Sequence, residues 1–218
     1  ELDFEEYRKK YKNIYRMDRL LKAEGKSPDE YKVAKQADTL MTFYNLSGEE
    51  VGEILEKLSY KLPDDYLMRN LNYYLARTSH GSTLSRVVHA QLANMTGNKS
   101  LAWELYQDAL TSDYADIQGG TTAEGIHAGV MTGTVWVALV SFAGLNLHGD
   151  YPRFNPQLPA HWRKISFFFS FRDGEYECEV TAAGIRIRVD KPEPGSARIG
   201  LQDKTFEINT GEWVDLEI

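Results

Sequence analysis

The sequence predicts an array of paired helices followed by a small antiparallel β-sandwich. Three observations carry that prediction. Apolar residues recur at helical spacing as far as about Asp150 and at a period of two beyond it. Hydroxyl, Asn and Gly residues stand where helices would start and stop. Short alternating segments separated by turn residues fill 163–218.

The elements follow in order. Tyr7, Tyr11, Ile14 and Tyr15 share one side of a first helix, Phe4 to about Ala23. Gly25, Ser27 and Pro28 punctuate the chain, and a second helix is expected from near Tyr31 to Tyr44. Ser47 and Glu50 form a capping-box pattern before Val51, Ile54, Leu55 and Leu58, which starts a third. Pro63 stops it, and a short helix from Asp65 to about Leu75 comes next. Leu84, Val87, Val88, Gln91, Leu92 and Met95 define a further helix that Gly97 ends. Asn98 or Ser100 caps the one after it, which carries Leu101, Leu105, Ala109 and Leu110. Beyond a Gly/Thr-rich loop, Gln118 to Gly125, the segment Ile126 to Phe142 is apolar nearly all round and is expected to lie centrally.

Domain boundaries are placed at 1–150, a connector at 151–162 with three prolines, and 163–218. Phe167, Phe169 and Phe171 alternate as the inward face of a strand Ile165 to Phe171, and Arg172-Asp173-Gly174 turns the chain. Later strands are expected at Tyr176 to Thr181, Ile185 to Val189, Arg198 to Leu201, Thr205 to Ile208 and Trp213 to Ile218.

Composition excludes several classes of function. The 218 residues are 42% hydrophobic and 26% charged, which suits a packed globular chain. A net charge of -7 and a pI near 5.3 argue against a general nucleic-acid or anionic-membrane surface. The single Cys178 forbids an internal disulfide and fits a reducing, cytoplasmic setting. No apolar run reaches the length of a membrane span, and no metal-ligand spacing or nucleotide glycine motif appears, so no cofactor is expected.

Two loop-to-helix junctions could carry chemistry. Arg77-Thr78-Ser79-His80-Gly81-Ser82-Thr83-Leu84-Ser85 puts a glycine and two hydroxyls at a helix start, where unpaired amides and the dipole favour an anion. Capping by Ser82 or Thr83 explains the same residues without a ligand. Asp116-Ile117-Gln118-Gly119-Gly120-Thr121-Thr122-Ala123-Glu124-Gly125-Ile126-His127 precedes the apolar helix. There His127 could donate to an anion or a sugar hydroxyl, or be a satisfied buried histidine. Glu124 fits equally as a first-turn acid placed by the dipole. Lys35-Gln36, placed at the start of the second helix, could bond a sugar or simply face solvent.

These strings, taken together, resemble glycoside hydrolase family 65. Thr78 to Ser85 with Val88-His89-Ala90 is similar to the family's hydroxyl-pair motif. Gly125-Ile126-His127-Ala128-Gly129 with Met131, Gly133, Thr134 and Trp136 resembles its histidine motif. Lys35-Gln36-Ala37-Asp38 resembles its sugar-binding pair, and Phe154-Asn155-Pro156-Gln157-Leu158-Pro159 with Trp162 its passage into the C-terminal sandwich.

The resemblance implies part of an (α/α)6 barrel followed by the sandwich, and an inverting phosphorylase of an α-glucosyl disaccharide such as maltose, trehalose or kojibiose. Gly81, Ser82, Thr83 and His127 would hold phosphate, the co-substrate; Lys35, Gln36 and His80 would hold the sugar. A threonine at 83 departs from the usual second serine but keeps a donor.

The family's acid catalyst lies upstream in a Gly-Pro-Asp-Glu-Tyr-His-like loop, and Pro28-Asp29-Glu30-Tyr31 sits too close to Lys35 to be that loop. The chain is therefore expected to be a fragment without its own acid catalyst, needing the missing N-terminal part of the enzyme. An exposed half-barrel surface leaves homodimerisation open. A hydrolase with Glu124 or Asp116 as base is the nearest alternative, and a non-catalytic carbohydrate-binding module the second.

Overall fold

The structure, a computed structural model, describes residues 1–117, 122–191 and 195–218. The chain packs as two compact units, Glu1–Val135 and Trp136–Ile218. The first is helical and the second is built on strands.

The helical unit opens on two short helices where one was expected, α1 (Phe4–Tyr11) and α2 (Met17–Ala23). Lys12 and Arg16 both take left-handed backbone angles, φ 70° and 55°, and the Asn13 side chain accepts from the Tyr15 N–H. The break turns Ile14 inward to pack with Phe4, Tyr7, Met17 and Leu21. One continuous helix would set these side chains around its circumference, so tertiary burial overrides the local period.

The second expected helix is also mostly replaced. Only α3 (Met41–Asn45) is helical. Residues Tyr31 to Asp38 run without a helix, and Ala34 forms a parallel bridge with Thr78. The Ala34 N–H donates to the Arg77 carbonyl at 3.1 Å, and the Ser79 N–H donates to the Ala34 carbonyl at 2.8 Å. Backbone groups engaged with a distant segment are lost to a helix.

The remaining helices follow the sequence closely. They are α4 (Gly48–Lys57), α5 (Tyr66–Arg77), α6 (Leu84–Met95) and α7 (Lys99–Thr111). The Ser47/Glu50 capping box forms in both directions, and Asn98 rather than Ser100 caps α7 by accepting from the Leu101 N–H. Gly97, at φ 79°, allows the tight turn that packs α7 against α6. On α6 every residue from Ser85 to Asn94 is buried.

The apolar helix α8 (Ala128–Val137) begins two residues later than expected and passes into a π-helical turn, Ala138–Phe142. It is not buried all round. Val130, Gly133 and Val137 face inward while Val135 and Trp136 are exposed. Gly133 is the point of close approach to α6, where an added Cβ would stand 2.8 Å from Val87 Cγ1.

Among the described residues eight strands form two four-stranded sheets. β1 (Leu145–Asn146) and β2 (Arg153–Phe154) precede the six expected strands, β3 (Ile165–Phe171), β4 (Gly174–Thr181), β5 (Gly184–Asp190), β6 (Ser196–Leu201), β7 (Lys204–Asn209) and β8 (Trp213–Glu217). The sheet β3-β4-β5-β8 is antiparallel throughout. The sheet β1-β2-β6-β7 contains one parallel pairing, β2 with β6, which departs from the all-antiparallel expectation. Phe154, 1% exposed, draws the proline-rich connector into the core, and Gly200 opposite Arg153 leaves room for the pairing.

Both sheets contribute to one core, with Val180, Ile187 and Val189 from one and Ile199, Leu201 and Ile208 from the other. Phe167, Phe169 and Phe171 pack against that core, whereas Phe168 points outward. Cys178 lies in the same core, and burial pushes its thiol well above the ordinary range. Among the described residues no helix is long and apolar enough to cross a membrane.

Candidate functional site

The helical unit brings two of the sequence-predicted strings together. Lys35-Gln36 lies on the extended segment that pairs with 77–81, and the Gly81 N–H donates to the Lys35 carbonyl at 2.8 Å. The Lys35 stem passes over Gly81, where an added Cβ would stand 3.1 Å from Lys35 Cγ. Lys35 is exposed, so its ammonium can reach outward. The Gln36 amide donates to Asp38 Oδ1 at 2.7 Å. Thus the candidate sugar-binding pair and the glycine–hydroxyl string form one patch by direct backbone bonding.

At the start of α6 the hydroxyls are not used as caps. Thr83 occupies the cap position with helical angles and makes no side-chain cap bond. Ser82 is half-buried and Thr83 buried, and backbone bonds from the Ser85 and Arg86 N–H groups to the Ser82 and Thr83 carbonyls begin the helix. Capping therefore does not account for the Thr83 hydroxyl.

Beneath this start lies a buried polar cluster. His80 has a left-handed backbone, φ 45°, an angle that non-glycine residues hold only when the surroundings fix it. Its Nδ1 is 3.0 Å from Ser85 Oγ, and its ring meets Tyr15 and His89 edge-on. Nδ1 of His89 lies 2.7 Å from the Ser85 carbonyl, to which it donates.

Burial holds His80 well below the ordinary histidine range, with His89 and Arg86 adding to the effect. Burial likewise lowers His89, against the backbone bond to Ser85. Both rings are therefore neutral near neutrality. His80 is 5% exposed, so it supports the loop from below rather than presenting an open edge. Arg86 is fully buried, its Nε 3.4 Å from Asp108 Oδ2 and its guanidinium over the Tyr15 ring.

His127 stands just ahead of α8. Asp113, past the end of α7, grips it twice. The His127 backbone N–H donates to Oδ2 at 2.7 Å, and ring Nδ1 lies 2.7 Å from Oδ1. Of the alternative bases, Asp116 is exposed with φ 45°. The Glu124 side chain, like Gln118 to Thr121 with the paired glycines and first threonine, lies outside the described residues. Asp29 and Glu30 are exposed in a 3₁₀ turn that Ser27 caps, the helix-start role their spacing suggested.

Sequence reasoning missed Asp113, Arg86 and Tyr15. Asp113 is fourteen residues from His127 and lies in a different element, past the end of α7 and ahead of α8, so no periodic pattern links the two. Arg86 resembles any polar residue of an amphipathic helix. Among the described residues no group of three or more His, Cys, Asp or Glu side chains could hold a metal ion.

The helical unit and the paired sheets that follow it correspond to two successive family models. The model described as the glycosyl hydrolase family 65 central catalytic domain matches residues 1–136, and that of the family's C-terminal domain matches 145–208. The chain belongs to glycosyl hydrolase family 65.

It is 51% identical over 177 residues to the trehalose 6-phosphate phosphorylase of Lactococcus lactis subsp. lactis, a match covering 81% of this chain and 23% of that protein. It is 28% identical over 172 residues to the kojibiose phosphorylase of Escherichia coli, covering 74% of this chain and 22% of that protein. A solved structure of a candidate kojibiose phosphorylase from the human microbiome superposes with a TM-score of 0.64 at 24% identity, over 86% of this chain and 25% of that one. The chain thus spans less than a quarter of the curated relatives named here.

Proposed function

We propose that this chain is the C-terminal portion of an inverting disaccharide phosphorylase, comprising the later helices of an (α/α)6 barrel and a C-terminal β-sandwich. The enzyme transfers an α-glucosyl unit to inorganic phosphate, releasing β-glucose 1-phosphate and a second sugar.

In this reading one phosphate oxygen attacks the anomeric carbon from the face opposite the leaving sugar. The glycosidic bond breaks, and a carboxyl group outside this chain protonates the departing oxygen. Gly81, Ser82, Thr83 and His127 hold the phosphate through amide, hydroxyl and imidazole donors, which orient an anion without competing as nucleophiles. Lys35 and Gln36 hold the glucosyl unit, with His80 bracing the loop between the two groups.

The observation that carries the reading is the bond from Gly81 to Lys35, which sets the sugar-binding pair against an uncapped hydroxyl pair at the start of α6. A hydrolase would need a further carboxylate to activate water. Of the two candidates for that base, Asp116 is exposed and the Glu124 side chain lies outside the described residues, while the nearby Asp113 is bonded to His127. The relative at 51% identity is named for trehalose 6-phosphate, which makes a phosphorylated disaccharide the first substrate to offer.

The test is turnover by the enzyme carrying the whole catalytic domain, with and without phosphate, on trehalose 6-phosphate, trehalose and kojibiose. Turnover strictly dependent on phosphate, yielding β-glucose 1-phosphate, supports the reading. Equal turnover in its absence overturns it.

A further inference from the structure

Asp113 stands one residue past the C-cap of α7. It reaches His127 with both carboxylate oxygens, one taking the backbone N–H and the other facing ring Nδ1, each at 2.7 Å. The Asp113 side chain is about one-tenth exposed, so little water competes for these bonds. Gripping backbone and ring at once fixes the side-chain torsions of His127, because rotating the imidazole breaks one contact while the other holds. A carboxylate only accepts hydrogen bonds, so the ring nitrogen facing it carries the proton.

We propose that Asp113 is a positioning residue for His127: it holds the imidazole in one orientation with Nδ1 protonated, which makes Nε2 the atom that meets phosphate. The proposal rests on the reading of His127 as a phosphate ligand. In the neutral ring Nε2 then accepts from a phosphate P–O–H, leaving the other phosphate oxygens to the amides and hydroxyls at the start of α6. When the ring is protonated, Nε2 donates instead, and the carboxylate behind it balances the cation. A neutral histidine with the other tautomer would turn a lone pair toward Asp113 and lose the ring bond. A carboxylate serving only as the N-terminal cap of α8 would need the backbone bond alone.

The tautomer can be read directly. Long-range proton–nitrogen spectra of the chain labelled at histidine, recorded at alkaline pH and assigned with His127→Gln, distinguish Nδ1–H from Nε2–H. The unmodified chain is expected to show Nδ1–H at His127. In Asp113→Ala the signal should shift toward Nε2–H, and phosphate affinity should weaken on the order of tenfold, the scale of one charge-assisted hydrogen bond. Asp113→Asn, which retains one acceptor oxygen, should fall between the two.

An Nε2–H ring in the unmodified chain overturns the proposal without any variant, so it stays testable even if Asp113→Ala does not fold. An unchanged tautomer or unchanged phosphate affinity in Asp113→Ala also overturns it. Failure of the underlying reading has a different signature: phosphate moves no His127 resonance in any variant although the tautomer still depends on Asp113. That pattern overturns phosphate binding and the positioning role with it, and leaves the pair as a cap on α8.

Discussion

Gly81 donates its backbone N–H to the Lys35 carbonyl at 2.8 Å, and the stem of Lys35 lies over the space where a side chain at 81 would stand. The contact couples the candidate sugar-binding residue to the candidate phosphate loop. Gly81→Ala would place a Cβ 3.1 Å from Lys35 Cγ and 3.4 Å from the Lys35 carbonyl. Lys35 can swing aside, so the stability cost is expected to stay near or below about 1 kcal/mol. The displaced ammonium should instead raise KM for the disaccharide several-fold. Thermal denaturation with steady-state kinetics on the enzyme carrying the whole catalytic domain checks both halves. A large stability loss with unchanged KM would sink the assignment of Lys35.

Two glycines on α8 should respond in opposite directions. At Gly133 an added Cβ comes 2.8 Å from Val87 Cγ1 and 3.1 Å from Cγ2, both on a β-branched side chain that has little freedom to move within a helix. Gly133→Ala is therefore expected to destabilise the helical unit by about 1–3 kcal/mol. At Gly129 nothing lies within 4 Å of an added Cβ, and the residue is helical. Gly129→Ala should stabilise by up to ~1 kcal/mol through helix propensity alone. Urea denaturation of the two variants in parallel would show whether α8 is seated on α6 at Gly133.

The strands were legible because their alternation is enforced locally. Phe167, Phe169 and Phe171 face the core while Phe168 points outward, as a period of two demands. The capping box at Ser47 and the stop at Gly97 were legible for the same reason, since each acts within a few residues. The first forty residues were less so. Their apolar spacing is helical, yet Ile14 is buried from a turn and Ala34 pairs with a strand-like segment more than forty residues away. Such long-range pairing leaves no periodic trace. The same holds for Asp113, whose partner lies fourteen residues further on, whereas the hydroxyl pair and His127 stand in compact strings that a reader of sequence can find.

Arg86 offers a test of what a buried charge contributes. It is fully buried, its bond to Asp108 is long at 3.4 Å, and neither Nη1 nor Nη2 has a partner among the described residues. A guanidinium so placed costs desolvation that one loose ion pair offsets poorly. Arg86→Met keeps most of the volume over Tyr15 and leaves Asp108 partly hydrated, so stability should stay within about 1 kcal/mol of the parent or rise. Arg86→Ala, which opens a cavity as well, should lose roughly 2–4 kcal/mol. If both variants are equally damaging, the charge itself holds the cluster together, and chemical denaturation would reveal it.

The same cluster should make the helical unit sensitive to mild acid. His80 and His89 are both held below the ordinary histidine range, chiefly by burial, with the Arg86 charge adding to each. An unfolded histidine titrates near 6.5, so below that pH the unfolded chain binds protons that the folded chain refuses. Stability is therefore complete above about pH 6.5 and is lost progressively as the pH falls toward the depressed folded values. The slope can reach about 1.4 kcal/mol per pH unit for each histidine involved.

Arg86→Met removes one of the depressing charges, raises both folded values and should flatten this slope. His89→Leu removes one of the two titrating groups and should flatten it further. Melting temperature followed from pH about 7.5 to 5, bracketing the ordinary histidine value, measures the effect. A profile that stays level until the carboxylate range would mean that His80 and His89 take up protons in the folded chain and that the cluster is more open to water than its packing implies.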